Sequence, residues 1–557
     1  MPHVTSHPLI DYPKTTYPMK NSVLIFAVVI GAILLCACSN KETFGCEPES
    51  ELLFQSRAVG TNYVYPIRPG TDEWSALETH EEKLRVTQLP DDLLNKLRTD
   101  ELLEVCMDYP LLIDAFLFNT FEEGLEKMCG RFNGFQEFMR RNDNAQVLSI
   151  YLERKSNLAR IAKVKRQKLD LTLDVAVGLM QLEAVKRNAD ISAISVAELA
   201  ITDLVEEGLL LSRKQTSSSV KAAYVGVCTP LGTSWQTISR SEEYTLEDKE
   251  DKKKYISEIY PRAIYIDEAT TSYNCHAYAW YIWEGNTTKV WLNSNVSSTG
   301  LTLPPLVDGS YKQTSSAPDR KIVYFDETGA AHSGIVYQNT GWVVSKWGPE
   351  CLMRHPIKDC PYDASNVKYY ESNLRITGST SLENKGQYVE ADYIVEGGSP
   401  NASVSMSVSE AAQIIGNLQR GGIRVRASNS FSVSVAYSMN GTKFRIPSAY
   451  VDVWRKLRIK EVTSFQYGQT GYEYTLRVKF EGADEAVGYW STKNPNVTLS
   501  DVQFPGDAIY MEPNCFYKVV SLPGPGTYTV EVYPMSQEAV GTTVAITIDA
   551  SSGNVLF

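Results

Sequence analysis

The sequence predicts a multidomain chain: an α-helical N-terminal domain, an α+β domain, and two C-terminal β-sandwiches of immunoglobulin-like type. Three observations carry this. At 557 residues the chain exceeds what one hydrophobic core can hold, and about three to five domains is the natural expectation. From Leu89 to Thr216 apolar residues recur at three- and four-residue spacing, the period of a half-buried helix. Beyond about Tyr370 short alternating runs sit between Gly, Ser, Asn and Pro turns, the grammar of antiparallel sheets.

In chain order, Lys20 precedes an apolar run from Val23 to Leu35. That run is short for a membrane span and has the length of a signal h-region. It closes in Leu35-Cys36-Ala37-Cys38, which resembles a bacterial lipobox with Cys38 as the acylated first residue. Residues 1–38 are therefore expected to be a lipoprotein signal peptide, with Met19 as an alternative start. An uncleaved anchor helix and an ordinary cleaved signal are the competing readings. The polar residues after Cys38 resemble the surface-export signals of Bacteroides-type lipoproteins. This places the chain in the bacterial cell envelope, lipid-anchored to the outer membrane and exposed at the surface. Residues 39–88 read as a linker or extended segment.

Residues 89–216 read as a helical domain carried by LPDDLLNKL, TDELLEVCMDY and DLTLDVAVGLMQLEAVKR. Thr99 and Asp91 mark helix starts, and Gly130 and Gly134 the break between two helices. A serine-rich stretch from Arg213 to Lys221 is a linker. In 220–370 the period becomes mixed. YTLEDKEDKKKYISEIYPRA is a charged helix or loop, AYAWYIWEG a helix, and KIVYFDE, HSGIVYQ and GWVVSKWG three strands of an antiparallel sheet. Residues 371–456 and 457–557 are the two sandwiches, with one helical period left at Ser407–Gln419.

Composition is that of folded protein, with 43% hydrophobic and 22% charged residues, and the net charge is -12. No basic run exists to neutralise phosphates, so nucleic acid is not an expected partner. None of the ten cysteines stands in a zinc spacing, and neither a metal nor a cofactor is expected. Cys351 and Cys360 form either a disulfide across a loop or two free thiols.

The chemistry concentrates at Cys275 and His332. Cys275 opens a helix, where the dipole favours a thiolate. His332 starts a strand, where an imidazole can take and return the thiol proton. Six histidines occur in all, of which His3 and His7 precede Cys38, and three of the other four (His276, His332, His355) follow closely on Cys275. The competing reading of Cys275 is a small buried hydrophobe.

The motifs ATTSYNCHAYAW, VDGSY, AHSGIV, SKWG and LMRH, within about Val220–Tyr370, resemble a papain-like cysteine peptidase or amidase family of secreted Bacteroides-type lipoproteins. Its distant relatives are the NlpC-type and CHAP-type cell-wall hydrolases. The resemblance implies a papain-like α+β fold with Cys275 as nucleophile and His332 as base and acid. The substrates it implies are peptides or peptidoglycan peptides. The backbone N–H of Cys275 and the Asn274 side chain are candidate oxyanion donors, with a helix cap the competing role for Asn274. The residue that should orient the imidazole falls near Ser345 or Lys346, where such relatives carry His, Asn, Asp or Glu. Ser345 is the candidate, and this departure puts turnover in question. His276 and His355 read as structural or substrate-side. The competing functions are a surface-binding or adhesion lipoprotein with a degenerate hydrolase domain, and an acyl transferase using the same cysteine.

Overall fold

The computed structural model describes residues 63–162, 171–206, 210, 226–238, 240, 243–297, 300–338, 341–385 and 387–454, together with eight β-strands between Arg458 and Leu556. The lipobox and Cys38 lie outside the described residues. No helix among the described residues is long and apolar enough to cross a membrane.

The N-terminal region is helical, from Asp72 to Glu206. Helices Asp72–Ser75 and His80–Val86 fall inside the stretch expected to be a linker, which is folded from Tyr63 onward. Capping fixes their starts: Thr71 Oγ1 accepts from Trp74 N–H, and Thr79 and Glu82 form a reciprocal capping box. Trp74, His80 and Lys83 are buried, and their burial in a charged sequence hid the helix from periodicity. Two further boundaries show what fixes them. The helix Thr99–Met107 is capped at Arg98, whose N–H meets the Glu101 carboxylate at 2.9 Å, while the Thr99 hydroxyl binds Asp143 at 2.7 Å. The break between helices Phe121–Arg131 and Asn133–Arg140 falls at Phe132, not at Gly130 or Gly134. Phe132 turns extended (φ -107°, ψ 120°) because its ring is held in the core, stacked on Tyr109 at 4.0 Å.

The following region carries helix Leu246–Ile259, with a Thr245/Asp248 capping box, and a nine-stranded sheet. Seven of its strands are β1 (Ile264–Asp267), β2 (Tyr311–Thr314), β3 (Lys321–Asp326), β4 (Gly329–Val336), β5 (Trp342–Lys346), β6 (Leu352–Pro356) and β7 (Val367–Ser372), ordered β1-β6-β5-β4-β3-β7-β2. All six pairings along this path are antiparallel. The hairpin Asn295–Ser297/Gly300–Thr302 joins β4 at Gly329. The segment AYAWYIWEG is only briefly α-helical: Cys275–Ala277 form an α turn and Tyr278–Ile282 a π turn, with Trp283 N–H reaching Tyr278 O at 2.9 Å.

One face of the sheet packs on the helices. Tyr260, Ile322, Tyr324, Trp347, Met353 and Tyr362 share a continuous core with Trp74, Leu102, Phe116 and Phe132. The other face packs on the Cys275 helix through Val323, Ile335, Val344, Trp280 and Tyr311. Side chains in a strand alternate between faces, so neighbours on β4 belong to different cores.

The C-terminal region is β-rich. Two antiparallel-dominated sheets enclose one core of Tyr393, Val425, Phe431, Val433 and Val451. The helix expected at Ser407–Gln419 is instead two strands, Ser403–Val408 and Ala412–Asn417, joined by a turn in which Ala412 N–H meets Ser409 O at 3.0 Å. Ala412–Asn417 pairs with Ile423–Ala427, so ladder hydrogen bonds outweigh the local apolar spacing. The strands from Arg458 onward form two four-stranded sheets.

Candidate functional site

Asn274 is the N-cap of the Cys275 helix. Its Oδ1 accepts from Ala277 N–H at 3.0 Å and from Leu292 N–H at 3.2 Å, tying the cap to the short strand Trp291–Leu292. Its Nδ2 therefore faces the other way, donating to Leu292 O at 2.9 Å and Asn119 Oδ1 at 3.1 Å. The cap role is thus filled, and the second amide hydrogen is given to Asn119 Oδ1, the oxygen beside the thiol.

Cys275 is 1% exposed. Burial pushes its thiol up to about 12. The Ser333 and His276 backbone N–H groups and the Lys346 ammonium favour the thiolate but do not offset desolvation, and the Glu123 carboxylate adds to the rise. The dipole of so short a helix is the weaker influence.

His332 lies on β4, fully buried, its ring stacked on Tyr362 with centroids 3.5 Å apart and planes 10° apart. Both ring nitrogens lack a hydrogen-bond partner among the described residues, so no hydrogen bond joins His332 to Cys275 or to Ser345. Desolvation holds its imidazole neutral, far below the usual histidine range, and the nearby His355 and His276 push in the same direction.

Strand alternation explains the arrangement. The next residue, Ser333, turns to the other face, where its Oγ meets His276 Nδ1 at 2.8 Å and accepts from Trp280 Nε1 at 3.0 Å. The Ser333 N–H is the strand's contact with the Cys275 sulfur. The sulfur therefore rests beside the strand at the residue after His332, while the imidazole leans onto Tyr362.

Ser345, on β5, is buried and its hydroxyl pairs with His355 Nε2 at 2.8 Å on the neighbouring strand β6. His355 Nδ1 is taken by Pro356 O at 2.8 Å. Burial lowers His276 and His355 to about 4, so both are neutral near pH 7. Lys346, also buried, donates to Thr270 O at 3.1 Å, Gly348 O at 3.0 Å and Glu350 O. It ties the loop leading into Asn274 and Cys275 to the turn after β5. Burial lowers it to about 7, against the pull of Glu350.

Residues that the sequence did not single out complete the enclosure. Asn119 Oδ1 lies 3.8 Å from Cys275 Sγ. Glu123, one turn into the next helix, has its carboxyl pushed up to about 7 by burial and by Asp326. Tyr362 Oη donates to Leu117 O, and Gly348 (φ +50°) leaves no room for a Cβ against Phe118 O. A cavity of about 570 Å³ borders Tyr362 and is lined by Thr79, His80, Leu84, Arg131 and Lys358 but not by Cys275 or His332. Cys351 and Cys360 are free buried thiols, as are Cys106, Cys129 and Cys228.

No family model matches the chain, and no curated protein matches it. Among solved structures it is similar to an adhesin, InvE of Yersinia pseudotuberculosis, at 14% identity and a TM-score of 0.20 over 31% of this chain. It spans 58% of that adhesin's length. Bovine butyrophilin matches at 8% identity and a TM-score of 0.20, over 32% of this chain and 99% of its own.

Proposed function

We propose that the chain is an exported lipoprotein, acylated at Cys38 and held at the outer membrane. Its nine-stranded sheet would carry a papain-like thiol hydrolase for peptide or amide bonds. One observation carries the reading. A thiol at the start of a capped helix meets β4 at the residue after His332, whose imidazole has no hydrogen-bond partner among the described residues, and Asn274 Nδ2 reaches the Asn119 oxygen that also neighbours the sulfur. Buried histidines without partners are rare in structural roles, because an unpaired polar group costs about 1–3 kcal/mol.

In the reaction, the His332 imidazole takes the Cys275 proton and the sulfur attacks the carbonyl carbon. The oxyanion is held by Asn274 Nδ2 and by the Cys275 backbone N–H. Collapse breaks the C–N bond, and the imidazolium gives its proton to the departing amine. Water then hydrolyses the thioester with the imidazole again as base, freeing the acid and the thiol. Peptides of protein or peptidoglycan are the substrate class.

The second reading, a surface-binding lipoprotein with a degenerate hydrolase domain, is favoured by a specific contact: the Ser345 hydroxyl is committed to His355 rather than His332. Covalent capture separates the two. The full chain is treated with a peptidyl chloromethyl ketone, and the labelled cysteine is identified by mass spectrometry. Capture at Cys275 that is lost in His332→Ala supports the hydrolase. No capture in either the wild type or Asn119→Ala, or capture indifferent to His332, leaves the binding protein.

A further inference from the structure

The helical region reaches the Cys275 sulfur through Asn119. Asn119 immediately precedes Thr120, the N-cap of helix Phe121–Arg131, whose hydroxyl is committed to Glu123 N–H at 3.1 Å. The cap holds the chain direction, so Asn119 projects ahead of the helix toward Cys275. Its orientation is fixed by the network. Asn274 Oδ1 is occupied by two backbone donors, so Asn274 presents N–H₂ to Asn119, and the Asn119 atom that meets it is the carbonyl oxygen.

That oxygen has two neighbours, an amide donor at 3.1 Å and the Cys275 sulfur at 3.8 Å. These are the neighbours an acyl oxygen needs beside a nucleophilic thiol. The segment is locked from behind by Tyr362 Oη on Leu117 O and by Gly348 against Phe118 O. Asn119 itself remains partly exposed. It can leave this position without unpacking the core.

We infer that the space before Cys275 is a carboxamide-binding subsite, occupied in this chain by the Asn119 side chain, so that the thiol stays latent until that side chain swings out. The inference rests on the thiol-hydrolase reading for its purpose. The ligand class is a neutral amide, peptide bond or side-chain carboxamide. A carboxylate is disfavoured, because Glu123 stands close enough to act on Cys275 and carries negative charge when ionised.

The test is the alkylation rate of Cys275 in the full chain at neutral pH, followed by mass spectrometry, with iodoacetamide and with iodoacetate. Wild type, Asn119→Ala, His332→Ala and the double variant are compared, with Cys106 and Cys129 as internal controls. The expected result is a rise of at least about tenfold at Cys275 in Asn119→Ala, what one pKa unit of extra thiolate gives at fixed pH. The controls stay slow, and the preference for iodoacetamide over iodoacetate exceeds that of glutathione. Wild-type rates in Asn119→Ala, a rise shared by the control thiols, or a preference no greater than glutathione's overturns the inference. The two readings fail separately. A rise in Asn119→Ala that persists in the double variant keeps the occupied subsite and removes His332 as base. A rate slowed by His332→Ala but indifferent to Asn119 keeps the base and removes the occupant.

Discussion

At the scale of single residues, the site is governed by desolvation. Cys275, His332, His276 and His355 are all buried, and in each burial is the largest influence on ionisation. This has a measurable consequence for stability. In the unfolded chain a histidine titrates near pH ~6.5, whereas in the fold His276 and His355 do so at about 4, and burial holds His332 well below the usual histidine range. A depressed folded pKa means stability that is fully present above pH ~6.5 and is lost as pH falls toward about 4, by roughly 1.4 kcal/mol per pH unit for each group. Glu123 runs the other way. Its carboxyl is raised to about 7, so its contribution is present below its unfolded value and is lost as pH rises. Urea midpoints at pH 7, 6 and 5 should therefore fall as pH falls, and more steeply in Glu123→Gln, which removes the opposing group. A flat profile between pH 7 and 5 would mean that these imidazoles are solvated.

At the scale of elements, the pleat of β4 and the turn after β5 decide what meets what. Alternation sends Ser333 to the Cys275 helix and His332 to Tyr362, and a shift of one residue would exchange them. The turn after β5 is equally constrained. Gly348 has φ +50°, a left-handed conformation that other residues adopt at a cost, and a Cβ there would run into Phe118 O. Lys346 and the buried Lys252–Glu350 ion pair, with N···O 2.5 Å, anchor the same turn. Gly348→Ala is thus expected to destabilise the chain by at least about 2 kcal/mol, backbone strain and displacement of the Phe118 segment acting together. It should also raise Cys275 alkylation by loosening Leu117–Thr120. Calorimetry and thiol labelling of the same variant check both, and an unchanged Tm would contradict the packing described.

At the scale of the whole molecule, the helical region does not own its core. Trp74 donates from Nε1 to Ile259 O at 2.8 Å and Lys83 pairs with Asp359, both from the stretch expected to be a linker, and Tyr260 Oη reaches Asp114 at 2.6 Å across the boundary expected between two domains. Helices and sheet should therefore unfold as one cooperative unit. Trp74→Ala, which empties a fully buried site and leaves a carbonyl unpaired, should cost about 3–5 kcal/mol. In hydrogen exchange it should speed opening in strands β4 and β5 as much as in the helices. Exchange in Val389–Trp454, which has its own core, should change little. Acceleration confined to residues 72–206 would show an independent helical domain instead.

Much of this organisation was legible in the sequence. The helical region was visible because Leu102, Leu103 and Cys106 recur at helical spacing, and the sheet because KIVYFDE, HSGIVYQ and GWVVSKWG alternate between turns. Cys275 and His332 stood out because residue type and local element suffice to nominate a nucleophile and a base. What escaped has a common cause. Trp74 and His80 were missed because their helices are stabilised by contacts with Ile259 and Asp114 rather than by their own period. The Ala412–Asn417 segment was misread because its partner strand decides its conformation. Asn119 gave no signal at all, since it lies 156 residues from the thiol it faces. By itself the sequence determined much of the local structure and nominated Cys275 and His332 as candidates, because propensity, capping and periodicity act over a few residues. Only the tertiary structure decided which of those groups face one another, because strand alternation, shared burial and a plug from a distant helix are set by packing between segments far apart in the chain.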